Sequence, residues 1–420
     1  MRLVMLTNSY PYGDQEAFIE PEMKSLEKRF DDIHILSLAP DDARITRYIP
    51  SNAKVTRVCK KKKKTMRAAF QLFSPTVIRE ICFASKNYHY SLRNCVGLFL
   101  RFYGNAYCLM KDYLEQEDRK ETIFYSYWLS HLSYVLMRYK KDHPNAFCVS
   151  RAHRVDNFIE FKASLFRREI LSTLNGVYPI SEEGKKELER KVLPFIGIDH
   201  AELKVFHLGV EFKDIINPVK SKPEFQIASC SFIHGIKRLD IIIEALERIN
   251  DIPICWTHFG GGSDEEKIKA LAEAKLGGKS NIRFYFAGQT AHDDILRYYT
   301  DNHIDLFVNS SDHEGIPVSV MEAMAAGIVC VARDVGGNRE LIVNRDNGFL
   351  LDNEAGALEY SHLIEEVYRM DDCTLMSIKQ KAMNKIRTDF ESPGTYNRFT
   401  EYLLKMYNEA NKMQEGNALK

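Results

Sequence analysis

The chain has 420 residues, 45% hydrophobic and 28% charged, with 58 basic and 58 acidic side chains in formal balance. This is an ordinary globular composition, and the length exceeds one compact core, so two domains of about 200 residues are expected. Nine cysteines, with no Cys-x-x-Cys and no His/Cys cluster at metal spacing, argue against a disulfide framework or a zinc site and for a reducing compartment.

No stretch reaches the roughly 18 apolar residues that a membrane span needs; the best, Cys95 to Met110, is broken by Arg101 and Asn105. The apolar start Met1–Leu6 is cut short by Thr7-Asn8-Ser9 and reads as a core strand rather than a signal peptide. The zero net charge hides an asymmetry. Lys54 to Arg101 holds 12 Lys/Arg and one acid, Glu80, a local +11 that the remainder offsets with −11.

In chain order, a strand (Arg2–Thr7), a loop (Asn8–Glu16), a helix (Glu16–Phe30) and a strand (Ile33–Leu38) make a βαβ opening. Gly13 lies in that loop, as a plain turn or as a ligand contact. Residues 55–120 read as helical and rich in aromatics. Within them Lys60 to Lys64 are consecutive, and Met66, Ala69, Phe70 and Phe73 follow at helical spacing. Two readings stand: a basic membrane-surface helix, or a solvated loop with a buried helix behind it. Nucleic acid is disfavoured, since no binding motif accompanies the charge.

Strands follow at Ile123–Trp128 and Phe147–Ser150, the second running into Arg151-Ala-His153-Arg-Val-Asp156. Asn175–Ser181 is a strand ending in a helix cap, with a helix from Glu182 to Arg190. Asn217–Pro223, polar, basic and punctuated by two prolines, marks a linker. Beyond it come a strand (Phe225–Cys230), the loop Ser231–Arg238 and a helix through Ile249. A strand (Ile254–Phe259) then leads to Gly260-Gly261-Gly262 and a helix (Ser263–Ala274), with no third glycine placed for a dinucleotide fingerprint. Asn281–Gly288 is a strand and His292–Tyr299 a helix.

The densest signal comes next. Ile304–Asn309 is a strand, Ser310–Gly315 a turn-prone loop, Pro317 suits a first helical position, and Val318–Ala326 is a helix that Gly327 ends. Ile328–Ala332 is the following strand. A loop feeding a helix from the carboxyl end of a strand is where open α/β sheets bind ligands, and the helix N-terminus there favours phosphate. Glu314 and Glu322 frame it. After Asp352 the chain is helical, and Tyr396–Asn411 sets Phe399, Leu403, Leu404 and Tyr407 on one face.

The string Glu314-Gly-Ile-Pro317, Glu322-Ala-Met-Ala-Ala-Gly327, a strand, Gly336-Gly337 with Glu340, and Asn347-Gly348-Phe-Leu-Leu351 resembles the donor-site signature of glycosyltransferase family 4, retaining enzymes of the GT-B fold. Tyr10-Pro-Tyr-Gly13, Glu16-Ala-Phe-Ile-Glu20 and Ser150-Arg-Ala-His153 with Asp156 are similar to a bacterial capsule, exopolysaccharide and O-antigen subgroup. The resemblance implies an α/β chain of two Rossmann-like domains with a deep interdomain cleft. Residues 1–215 would bind acceptor, 216–223 link, 224–395 bind nucleotide-sugar, and 396–420 form a helix crossing back to the first domain.

It also implies roles. Lys237, with Arg238 in support, meets the donor phosphates; Gly315, Ile316, Pro317 and Val318 form the turn whose N–H groups steady the leaving diphosphate. Glu314 holds the sugar hydroxyls and Glu322 the ribose hydroxyls, while Phe286, Gly288 and Gln289 pack the base. His153 contacts the donor sugar with Asp156 beside it, and Gly13 touches acceptor and donor. Phe232 stands where the family often has Arg, Leu208 where it has Asn, and Arg154 where the subgroup often has Gly. With no Asp-x-Asp, the implied chemistry is metal-independent and needs no cofactor. The substrates would be a nucleotide-sugar, UDP ahead of GDP, and a saccharide or polyprenyl-linked saccharide. The expected location is cytoplasmic and peripheral on the inner face of the membrane, through residues 54–101. A catalytically silent GT-B subunit scaffolding a partner transferase, and a GT-B nucleotide-sugar epimerase or hydrolase, remain as alternatives.

Overall fold

A computed structural model describes residues 1–13, 16–58, 63–88, 90–157, 164–213, 216–217 and 224–418. Lys60 to Lys62 of the lysine run and 218–223 of the expected linker lie outside them. The chain forms two compact units, Met1–His207 with Pro393–Lys420, and Leu208–Ser392. The sequence reading set these boundaries at 215 and 395. Residues 208–210 belong with the second unit because Val210 N–H donates to Phe390 O and Ser392 N–H to Val210 O, each at 2.9 Å.

The first unit is built on six parallel strands: β1 (Arg2–Thr7), β2 (Asp32–Ser37), β3 (Ala53–Arg57), β4 (Thr122–Ser126), β5 (Phe147–Ala152) and β6 (Gly176–Pro179), in the order β3-β2-β1-β4-β5-β6. The second repeats the plan with β7 (Phe225–Cys230), β8 (Ile254–Phe259), β9 (Ile282–Gly288), β10 (Leu306–Val308), β11 (Cys330–Arg333) and β12 (Phe349–Leu351), ordered β12-β11-β10-β7-β8-β9. Strand order reverses between β1 and β4 in one sheet and between β7 and β10 in the other. At such a switch point, loops from neighbouring strands diverge and leave room for a ligand.

Parallel strands are covered on both faces, so their sequences are apolar without alternation. In β1, Leu3 and Met5 pack with Ile33, Ile35, Ile123 and Tyr125 on one face. Val4 and Leu6 join Leu36, Phe124 and Leu132 on the other. The helix Ser392–Ala418 completes the first of these layers by inserting Phe399, Leu403 and Tyr407. Below it, Arg151 Nη2 donates to Glu22 Oε2 at 2.9 Å, both side chains fully buried, and the guanidinium lies 4.2 Å from the Phe399 ring centre.

The expected strands and helices are present within a few residues, with three corrections. β3 is a strand where residues 55–57 were read as the start of a helical region; it pairs with β2 over Ala53–Arg57. The first helix is shorter than 16–30, a 3₁₀ turn at Ala17–Ile19 leading into Glu20–Leu26. Pro317 stands just before its helix, with an extended ψ of 109°, and Val318–Ala325 is the helix proper. Among the described residues no helix is long and apolar enough to cross a membrane.

Candidate functional site

In the second unit the loops after β7 and β10 meet at the switch point. Asp312 N–H donates to Ile236 O at 2.9 Å. Ser310 Oγ donates to the carbonyls of Lys237 and Arg238, at 3.0 and 2.9 Å. This lacing brings Lys237 and Glu314 together: Lys237 Nζ donates to Glu314 Oε1 at 2.7 Å, and Asn309 Nδ2 adds a bond to the same oxygen at 3.2 Å. Burial, the largest effect on Glu314, pushes its carboxyl up. The Lys237 charge and hydrogen bonds from Lys237, Ser311 and Asn309 together outweigh it and hold the group below its ordinary 4.5. Glu314 is therefore an ionised acceptor at neutral pH.

Two glycines let this loop close. A Cβ on Gly336, at φ +54°, would stand 1.8 Å from Glu314 O, and one on Gly337 2.3 Å from Gly315 O. Gly337 N–H instead donates to Gly315 O at 2.7 Å. Gly315 and Ile316 lead through Pro317 into the helix Val318–Ala325, whose first N–H groups have no partner within the helix. Glu322 lies on that helix, buried, and borders a small half-open pocket with Leu296, Tyr299, Ala325, Glu211 and Lys213. His292 Nε2 is 2.6 Å from Glu322 Oε1.

The Ser231–Arg238 loop rests on the glycine turn after β8. Gly260 N–H donates to Gly288 O at 2.9 Å, and Ile233 N–H to Gly261 O at 3.0 Å. Gln289 follows as an exposed residue, while Phe286 packs its ring against Trp256 with centroids 5.4 Å apart. Arg238 turns its guanidinium into two carboxylates, Asp240 at 3.0 Å and Asp312 at 3.1 Å. It straps the two loops and leaves Lys237 as the cation beside Glu314. Phe232 projects from the same loop, 60% exposed.

In the first unit, His153 and Asp156 meet at the end of β5. Asp156 Oδ2 accepts from His153 N–H at 3.0 Å and Leu129 N–H at 3.2 Å, tying the turns after β5 and β4 together. Burial pushes its carboxyl up to about 7 against the pull of those bonds. The His153 ring sits among Trp128, Tyr127 and Phe18, at 4.5, 5.0 and 5.6 Å. Burial, helped by the Arg151 charge, lowers it to about 3, so it is neutral at physiological pH. Gly13, at φ +64°, is held through its carbonyl by Thr46 Oγ1 at 2.7 Å.

Glu16 is a residue whose part the sequence reading missed. Its carboxylate accepts from Ser9 N–H at 2.7 Å, Tyr10 N–H at 2.6 Å and Trp128 Nε1 at 2.5 Å, so one acid shapes the loop after β1 and fixes the indole. Asn309 and His292 were missed as well. No local pattern marks them, since His292 reaches Glu322 across 30 residues.

Residues 212–385 match the family model described as Glycosyl transferases group 1. EpsD of Bacillus subtilis is 34% identical over 129 residues, 30% of this chain and 32% of EpsD; the chain thus spans about a third of that curated relative. The amylovoran biosynthesis glycosyltransferase AmsK of Erwinia amylovora is 24% identical over 319 residues, 73% of this chain and 69% of AmsK. Among solved structures, Anabaena HepE in complex with UDP-glucose superposes with a TM-score of 0.64 at 14% identity, over 96% of this chain and 99% of HepE. The chain has the GT-B fold, and over residues 212–385 it is similar to the group 1 glycosyl transferases.

Proposed function

We propose that the protein is a retaining family 4 glycosyltransferase that moves a sugar from a nucleotide-sugar to a saccharide acceptor in surface polysaccharide assembly. The observation that carries this reading is the Lys237–Glu314 pair, 2.7 Å apart at the mouth of the helix Val318–Ala325, with Glu322 further along the same helix. A diphosphate at the helix mouth would meet unpaired N–H groups and the positive end of the dipole. Negative charge grows on its oxygen as the sugar–oxygen bond breaks, and Lys237 offsets that charge. Glu314, ionised, accepts from sugar hydroxyls, and Glu322 accepts from the ribose.

The acceptor oxygen then bonds to the anomeric carbon on the face the diphosphate leaves, and its proton passes to a leaving phosphate oxygen. Configuration is kept without a protein nucleophile. A UDP-sugar is the favoured donor, in keeping with the UDP-glucose bound by HepE. The relatives' names point to exopolysaccharide assembly, and a polyprenyl-linked acceptor would place the enzyme at the inner face of the cell membrane. Phe232, in place of a second cation, favours a second reading: a GT-B subunit that binds donor without turning it over.

A thermal-shift panel of UDP-, GDP-, ADP- and TDP-sugars on wild type and Glu322→Ala tests the reading. One nucleotide class should stabilise wild type and lose its effect in the variant. A charge-assisted bond of about 1.5–3 kcal/mol corresponds to a loss of about tenfold to a hundredfold in affinity or rate. No shift with any donor would refute it, and binding without product would favour the silent subunit.

A further inference from the structure

Between β3 and β4 the first unit inserts a run of helices, Lys63–Phe70, Gln71–Phe73, Pro75–Asn87, Leu92–Leu98, Phe99–Gly104 and Asn105–Leu114. Their inner faces are spent on the core, where Val77, Ile81, Ala84, Cys95, Phe99 and Tyr103 are buried. What they leave outside is unusual in two respects. From Lys54 to Lys111 the sequence has one acid, Glu80. The structure removes even that one from the surface: Glu80 is buried, and its Oε1 accepts from Phe166 N–H at 2.7 Å. Over residues 54–111 the described outer face therefore shows cations and no acid of its own; Arg79 is paired with Glu169, and exposed Asp112 follows just beyond.

It is also greasy. Phe70 is 69% and Phe73 79% exposed. Arg67, Phe70 and Phe73 recur every three residues, and the chain is 3₁₀ over Gln71–Phe73, where side chains three apart line up along one edge. The neighbouring turn is close: Gln71 Nε2 donates to Gly104 O at 3.4 Å, and that turn carries exposed Arg101 and Phe102. Arg67 and Arg101 form no salt bridge among the described residues. A second copy of this chain would bring like charge against like charge, which disfavours self-association through this face. Large aromatics at the tip with guanidinium groups around them fit an interface where apolar rings enter the headgroup layer and cations meet lipid phosphates.

We propose that this face, formed by Arg67, Phe70, Phe73, Arg101 and Phe102, docks the protein on an anionic lipid bilayer. The inference stands apart from the donor reading, which thermal shift tests in the absence of lipid.

The full chain is floated with phosphatidylcholine vesicles and with phosphatidylcholine–phosphatidylglycerol vesicles. Wild type should float with the anionic vesicles only. Because an Arg near an anionic surface is worth about fivefold in partition, Arg67→Gln/Arg101→Gln should lower binding by about 25-fold. Phe70→Ser/Phe73→Ser should lower it by at least about tenfold. All four side chains are exposed, so both variants should keep wild-type thermal stability. Failure of wild type to float with anionic vesicles overturns the proposal, whether or not the chain is retained on single-stranded nucleic acid. Unchanged flotation of both folded variants overturns it too, by placing the contact elsewhere.

Discussion

At the scale of single residues, Glu314 and Lys237 set the electrostatics of the second unit's site. Their contact leaves one carboxylate ionised and one ammonium 22% exposed, so the cation remains reachable while the acid is held. Phe232 is the odd neighbour. It stands on the same short loop as Lys237, exposed, with no core to fill. If the loop faces a diphosphate, a second guanidinium there adds charge-assisted bonds and costs no packing. Phe232→Arg is expected to tighten UDP binding by about tenfold, read by titration calorimetry. Unchanged affinity would mean that this side chain looks away from the phosphates.

At the scale of elements, the loops at the carboxyl ends of the strands are held by buried acids. Glu16 gathers the N–H groups after β1, and Asp156 joins the turns after β4 and β5. Asp156 has a pH signature. Its folded-state pKa, about 7, lies above its ordinary 3.8, so the protonated form is the one the fold favours. The stability this contributes is complete below 3.8 and is lost as pH rises through about 7. Asp156→Asn keeps an acceptor oxygen and cannot ionise. The variant should melt above wild type at about pH 8 and converge with it near pH 4, the difference being on the order of a few kcal/mol. A constant offset across that range would show that Asp156 does not titrate in the fold.

At the scale of the molecule, each unit owns its own core, and the chain leaves the first unit at His207 and returns to it at Pro393. The returning helix is structural for that unit: Phe399 and Leu403 are fully buried in the layer under β1 and β4. Leu403→Ala should cost about 2–5 kcal/mol, all of it in the first unit. Scanning calorimetry should then show one transition moving down while the other keeps its midpoint. If both move together, the units unfold as one.

What the sequence by itself determined is local. Apolar strands, glycine turns and capped helices follow from chemistry within a few residues, and the donor-site string is legible because loop, helix mouth and both glutamates fall within Ser310–Gly327. Tertiary structure decided the rest. β3 was missed because its face is half-exposed and carries no apolar run. The Arg151–Glu22 pair joins residues 129 apart and His292 reaches Glu322 across 30, distances at which no spacing rule operates. Pro393–Lys420 joins the first unit because the apolar face legible at Phe399, Leu403 and Tyr407 is covered only by strands formed some 220 or more residues earlier. A periodicity states that a face must be buried; only packing states against what.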